Sequence, residues 1–253
     1  MKRVLIYVVL LLISVAAGAT EVSSSEHWTR GNKAYIDGNF GAAIEEYQAI
    51  IEGGEYSDKL YYNLANAHFK QGNVGKAILY YNKALRISPS SEDIRHNLAL
   101  AEAQTKDRIK AIPEFFLNNW VRIIRNSMSC SAWSTLSLVA FVALLAFILL
   151  FLLASSIKYR KSGFYGALCT LFIFVITTAF AISSRNEMLS RNEAIVMSSA
   201  ISVKSSPDRS ATDLFVLHEG TKVRIASKMD EWREVVIADG KNGWTEAKNI
   251  EEI

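Results

Sequence analysis

The stretch Tyr61–Pro89 reads YYNLANAHFKQGNVGKAILYYNKALRISP and decides the fold of the first part of the chain. Compared with itself at an offset of 34 residues, the sequence aligns Asn32 with Asn66, Gly38 with Gly72, Ala43 with Ala77, Ile44 with Ile78 and Tyr47 with Tyr81. The same offset carries Asn63 and Leu64 onto Asn97 and Leu98. Within the quoted stretch, Leu64, Ala65 and His68 share one face of a first helix, and Ala77, Tyr81 and Ala84 form the facing side of a second. Small residues permit close helix approach and the aromatic rings fill the space left. Gly72 suits the tight turn between the helices, and Pro89 ends the second.

A 34-residue period with small, aromatic and glycine positions in this order is the tetratricopeptide signature. Tyr61, Leu64, Ala65, Gly72, Ala77, Tyr81, Ala84, Leu85 and Pro89 all fall in register with that repeat. The preceding unit keeps Gly31, Gly38, Ala43 and Tyr47 but has Arg30 for the usual leucine and Ala34 for the aromatic. A third unit offers only a first helix, Glu92–Thr105, expected to cap the array, so residues 20–106 are read as the repeat domain. The resemblance implies a groove that binds extended peptides. On the first helix of the quoted unit, Lys59, Asn63, Asn66 and Lys70 form one polar stripe, suited to backbone amides or a carboxylate. Both asparagines also belong to the repeat pattern, where they hydrogen-bond within the fold, so the stripe reads either as a groove or as a structural face.

Outside the repeats the chain turns apolar: mean hydropathy is +0.14, high for a soluble protein. Lys2 and Arg3 precede the apolar run Val4–Val15, and Ala17-Gly18-Ala19 offers a small-x-small cleavage site. Residues 1–19 therefore read as a secretory signal peptide, with an uncleaved anchor as the alternative. Ser134–Ala154 and Gly163–Ser184 carry no charge and, at 21 and 22 residues, each suffices to cross a bilayer. Between them, residues 155–162 hold Lys158, Arg160 and Lys161, a short basic turn expected in the cytoplasm. The export signal then places both flanking domains outside, in the periplasm of an inner-membrane, multi-pass protein whose first partner is the lipid bilayer. Residues 107–133 form a juxtamembrane segment. Within it, Pro113–Asn126 reads as a helix opened by proline, either lying in the membrane interface or packed on the repeats.

The formal charge of +3 does not point to nucleic acid. Residues 20–112 and 184–253 carry net −1 and −2, so the excess of basic groups lies beside the apolar runs. Two cysteines, Cys130 and Cys169, are too few for a disulfide framework or metal cluster, and their depths in the membrane segments keep them apart. His27, His68, His96 and His218 have no metal-ligand spacing. No GxGxxG, P-loop, Gly-x-Ser-x-Gly elbow or haem-attachment motif occurs. An enzyme, a metal and a cofactor are not expected.

After a linker expected at 185–193, short β-rich runs follow at Ala194–Met197, Ile201–Lys204, Leu214–Leu217, Lys222–Ala226, Trp232–Ile237 and Gly243–Thr245. Such spacing predicts a small all-β barrel over 194–253. Val203-Lys204-Ser205-Ser206-Pro207, Glu219-Gly220-Thr221-Lys222-Val223, Trp232-Arg233-Glu234-Val235 and Gly243-Trp244 resemble the bacterial SH3-type (SH3b) family, with Ser206 standing where that family has glycine. Trp232 and Trp244 either bind a sugar or proline-rich ligand or close the small core; some SH3b domains bind murein.

The fold class is thus multidomain: an all-α tetratricopeptide array, a transmembrane helical hairpin and an all-β SH3-like barrel. This order, with Leu60-Tyr61-Tyr62-Asn63-Leu64 and an Asp107-x-Ile109-x-x-x-Pro113 junction, resembles the E-type protein of the Bacteroides aerotolerance (Bat) group over nearly the whole chain. That resemblance implies a non-enzymatic envelope scaffold mediating protein–protein interactions with Bat membrane proteins that carry von Willebrand A domains. The alternative is a murein-binding anchor.

Overall fold

The computed structural model describes residues 23–110, 112–113 and 115–253; the expected signal peptide lies outside the described residues. The chain divides into two compact units, Met1–Glu55 and Tyr56–Ile253.

In the first unit, α1 (Ser24–Ile36) and α2 (Phe40–Glu52) form an antiparallel pair. Ser23 caps α1 and Asn39 caps α2, each side-chain oxygen accepting an orphan amide of the first turn. Between them Gly38 takes φ +78°, the left-handed conformation that ends such a helix most cheaply. A Cβ on Gly31 would stand 2.7 Å from the Tyr47 ring, so the small residue makes room for the large one. The Tyr47 hydroxyl donates to Asn32 Oδ1 at 2.7 Å.

The second unit begins with the same motif. α3 (Asp58–Lys70) is capped by Ser57, and α4 (Val74–Ile87) follows a turn at Gly72, φ +87°. Leu64, Ala65, Ala77, Tyr81 and Ala84 are buried where α3 and α4 meet, and Ile78 of α4 is buried with its Cδ1 close to Gly220. α5 (Glu92–Glu102) adds Ile94, Leu98 and Ala101 to this core and ends the helical array, as expected of a capping helix. Ala77 is fully buried at the close helix contact. Ala77→Leu should therefore overpack it and cost about 1–3 kcal/mol, read as a lower thermal midpoint of the full chain; an unchanged midpoint would mean the repeat register is wrong.

The sequence places Pro113 in the first turn of the next helix, but α6 runs from Phe116 to Arg125 and leaves Pro113 outside it. The reason is upstream: the Ile112 amide donates to Ala238 O at 3.1 Å, and a residue before proline disfavours helical geometry.

α7 (Cys130–Leu153) and α8 (Ile157–Leu189) are both long and apolar enough to cross a membrane. They lie against each other because glycine lets them: a Cβ on Gly163 would meet the Phe151 backbone at 2.6 Å, and one on Gly166 the Phe147 ring at 2.4 Å. Ser137 and Thr178 share a hydroxyl hydrogen bond of 2.7 Å across the pair. Both cysteines are free thiols. α8 runs past its expected span at both ends, whereas α7 starts before its expected span and ends at Leu153, just inside it. Residues 157–162 of the expected loop form the first turns of α8, and Arg185–Leu189 of the expected linker form its last.

The C-terminal domain is a seven-stranded antiparallel sheet: β1 (Glu193–Val196), β2 (Ala200–Lys204), β3 (Asp213–His218), β4 (Lys222–Met229), β5 (Trp232–Val236), β6 (Asn242–Glu246) and β7 (Ile250–Glu252), in the order β3-β2-β6-β5-β4-β1-β7. Val196, Val203, Leu217, Val223, Val235 and Ile250, from six of the strands, belong to one buried cluster, so the sheet rolls around a single core. A Cβ on Gly243 would stand 2.6 Å from Val203, and its absence lets β6 approach β2 where the sheet bends. The strand β7, three residues with two glutamates, is absent from the sequence expectation.

Candidate functional site

The polar stripe of α3 divides into two kinds of residue. Lys59 and Lys70 are exposed at its two ends, while Asn63 and Asn66 are partly buried. Asn66 Oδ1 accepts from the Tyr81 hydroxyl at 2.6 Å and from Asn97 Nδ2 at 3.0 Å. Asn97 also donates to the Tyr62 hydroxyl at 2.9 Å, so this network ties α3 to α4 and α5. The Tyr81–Asn66 bond is the 34-residue equivalent of Tyr47–Asn32 in the first unit. Asn66 therefore holds the repeat together, and the oxygen a groove ligand would use is already occupied. The cations at the stripe's ends are the groups presented outward.

Trp232 and Trp244 are partly exposed and stand outside the core. On β5, Val235 faces the core and Trp232 and Glu234 the opposite side. The register Glu234↔Trp244 and Trp232↔Glu246 puts both tryptophans on that outer face as diagonal neighbours flanked by two carboxylates. They do not close the core; small aliphatic residues do.

In the second unit the sheet is docked on α4 and on the segment after α5. Asn73 precedes α4 without a side-chain cap, and Glu219, from the turn between β3 and β4, supplies one instead: Gly75 N donates to Glu219 Oε1 at 2.9 Å. A carboxylate at a helix N-terminus also meets the positive end of its dipole. A Cβ on Gly75 would lie 2.7 Å from Glu219 Cγ, so glycine there admits the carboxylate. Along α4, Lys76 pairs with Glu251 at 2.6 Å, and Arg86 donates to Ser190 O at 2.6 Å and Ile253 O at 2.5 Å. Asp107 makes the densest contact. Its carboxylate accepts from His218 N at 2.8 Å and Thr221 Oγ1 at 2.6 Å, and pairs with His218 Nδ1 at 2.7 Å. Burial alone would raise the Asp107 carboxyl, but the hydrogen bonds from Thr221 and His218 outweigh it and hold it below its ordinary value. Ile109 packs against the sheet core. Within the second unit, α4 and the sheet thus sit together at the end of the α7–α8 pair opposite its turn, where Arg125 of α6 pairs with Glu187 of α8 at 2.9 Å.

His68 is buried against Tyr80, with ring centroids 5.5 Å apart, and neither ring nitrogen has a partner. Burial, with the nearby Lys76 charge adding to it, lowers its pKa to about 4. The neutral ring is favoured in the folded state, so stability is full above about pH 6.5 and falls as pH drops toward about 4. His68→Phe should remove that loss. Its advantage over the parent should grow by about 3 kcal/mol across this window, measured as the difference in unfolding free energy at each pH. A constant difference would place the ring in water.

Comparison with known families agrees with this geometry over one segment: residues 59–91 match the family described as tetratricopeptide repeat. No curated protein matches the chain. A tetratricopeptide repeat is a protein–protein interaction module, and the matched residues are α3, α4 and the turn that follows.

Proposed function

We propose that the chain is a non-catalytic adaptor of the bacterial envelope. The α7–α8 hairpin holds it in the inner membrane with repeats and sheet in the periplasm, and the outward cations of α3 recruit an acidic or C-terminal segment of a membrane protein. The observation that carries this reading is the exposure of Lys59 and Lys70 at either end of a stripe whose middle is fixed by the Asn66–Tyr81–Asn97 network. The resemblance to the Bat E-type protein supports partners with von Willebrand A domains and a role in oxygen tolerance. Placement of both soluble parts at one end of the hairpin is consistent with a shared compartment, and the leader-like residues 1–19 favour the periplasm.

A second reading has its own observation: Trp232 and Trp244 lie on the outer face of the sheet, where an SH3b-type domain could stack them on murein sugars. Affinity purification from mildly solubilised membranes separates the two. With Lys59→Glu and Lys70→Glu together, recovery of the partner should fall at least tenfold, while each exposed change shifts stability by only about 0.5 kcal/mol. If recovery is unaffected, but Trp232→Ala with Trp244→Ala abolishes sedimentation with purified murein, the anchor reading replaces the adaptor.

A further inference from the structure

α6 is unlike every other described α-helix outside the hairpin: it has no buried residue. Yet Phe116, Leu117, Trp120, Val121, Ile123 and Ile124 are large and apolar, with Trp120 65% exposed. At 100° per residue these six occupy a continuous arc of about 160°, and Asn118, Asn119, Arg122 and Arg125 fill the other side. No described part of the chain covers the arc, so the alternative in which α6 packs on the repeats does not hold. A sharp division of this kind, rich in aromatics and with arginine on the polar side, fits a phospholipid surface.

Position commits α6 to that occupant. Only Asn126–Ser129 separate it from α7, the first of the two membrane-length helices. Trp133 Nε1 donates to Arg125 O at 2.9 Å, and Arg125 pairs with Glu187 near the end of α8 at 2.9 Å. These bonds hold α6 at the level where the apolar surfaces of α7 and α8 begin, on the side of the repeats and the sheet. We infer that α6 lies flat in the headgroup–acyl boundary of the leaflet facing the soluble domains, its apolar arc in the acyl chains. The segment between it and α5 is fastened to the sheet by Asp107, Ile109 and Ile112, so α6 couples the height of the soluble body to the membrane plane.

This inference rests on α7 and α8 crossing a membrane, and its test separates the two. The full chain carrying Cys130→Ser and Cys169→Ser would be placed in phosphatidylcholine–phosphatidylglycerol vesicles. Spin labels would then be attached singly at Leu117→Cys, Val121→Cys, Ile124→Cys, Asn118→Cys and Arg122→Cys, with Val142→Cys in α7 as the reference. The ratio of collision rates with oxygen and with a water-soluble nickel chelate should be severalfold higher at 117, 121 and 124 than at 118 and 122. Position 142 should give the highest ratio. Equal access of the chelate to all five α6 positions, with 142 still oxygen-rich, overturns the inference and leaves the hairpin intact. Shielding of 117, 121 and 124 from both reagents also overturns it, because protein then covers the arc. Chelate access at 142 overturns both readings. In the chain with its native residues on α6, shallow brominated lipids should quench a tryptophan emission component that Trp120→Phe removes; no quenched difference contradicts the placement.

Discussion

A chain ending at Asn192 should lose protection of its α4 amides from hydrogen exchange by at least a hundredfold. The truncation removes the Glu219 carboxylate from Gly75 N, the Glu251 partner of Lys76 and the Ile253 carbonyl that Arg86 holds. It also uncovers Ile78, whose Cδ1 lies so near Gly220 that an added Cβ there would stand 2.9 Å from it. A lost N-terminal cap alone costs about 1 kcal/mol, and uncovering a buried isoleucine about 1.5–3 kcal/mol. Together they come to about 2.5–4 kcal/mol, the scale of the roughly 2.7 kcal/mol that a hundredfold change in opening represents. Unchanged α4 exchange would mean that the sheet is a separate body on a linker, as the sequence alone suggests.

Asp107→Ala should cost about 3 kcal/mol of stability, the scale of one to two hydrogen bonds to a charged acceptor. It strips partners from the His218 amide, the His218 ring and the Thr221 hydroxyl at once. The pH dependence should carry the signature of a depressed carboxyl. The contribution is present above the ordinary carboxylate value and is lost as pH falls through the lower folded value. Thermal midpoints of parent and variant should therefore differ at pH 7 and converge in strong acid. A difference that persists unchanged at the lowest pH at which both fold would mean that the ionised carboxylate is not what fastens the segment.

The two predictions mark where the sequence was legible and where it was not. The α3–α4 pair could be read because its signal is local: Gly72, Ala77 and Tyr81 have fixed roles within 34 residues, and Asn66 repeats the bond of Asn32. The two apolar helices announced themselves by length, and six of seven strands by alternation and turn residues. Helix ends were less legible. Charged residues at 157–162 and 185–189 look like loop, yet their charges project from exposed turns of a continuing helix. Pro113 has the residue type of a helix start, and a hydrogen bond from Ile112 to Ala238, in the turn after β5 and more than a hundred residues away, keeps it outside.

The docking of sheet on helix could not be read at all. Glu219 reaches Gly75 across 144 positions, and nothing near either residue in the sequence requires the other. The one local trace is negative: Asn73 is followed by a helix that it does not cap. Asp107 was noticed only through a family resemblance; its reason is the His218–Thr221 clamp. For the candidate site, the stripe on α3 was visible as a pattern, but the division of labour within it was not. Asparagine offers the same chemistry to a ligand and to a neighbouring helix, and only the Tyr81 and Asn97 distances decide between them.

The adaptor account is tested most directly by crosslinking in living cells. A photo-crosslinking amino acid would be placed at Lys59 or Lys70 in the full chain, and separately at Asn242, which borders the outer face bearing Trp232 and Trp244. The account predicts discrete protein adducts from both α3 positions and none from Asn242. Adducts from Asn242 alone, with both α3 positions silent, would contradict it.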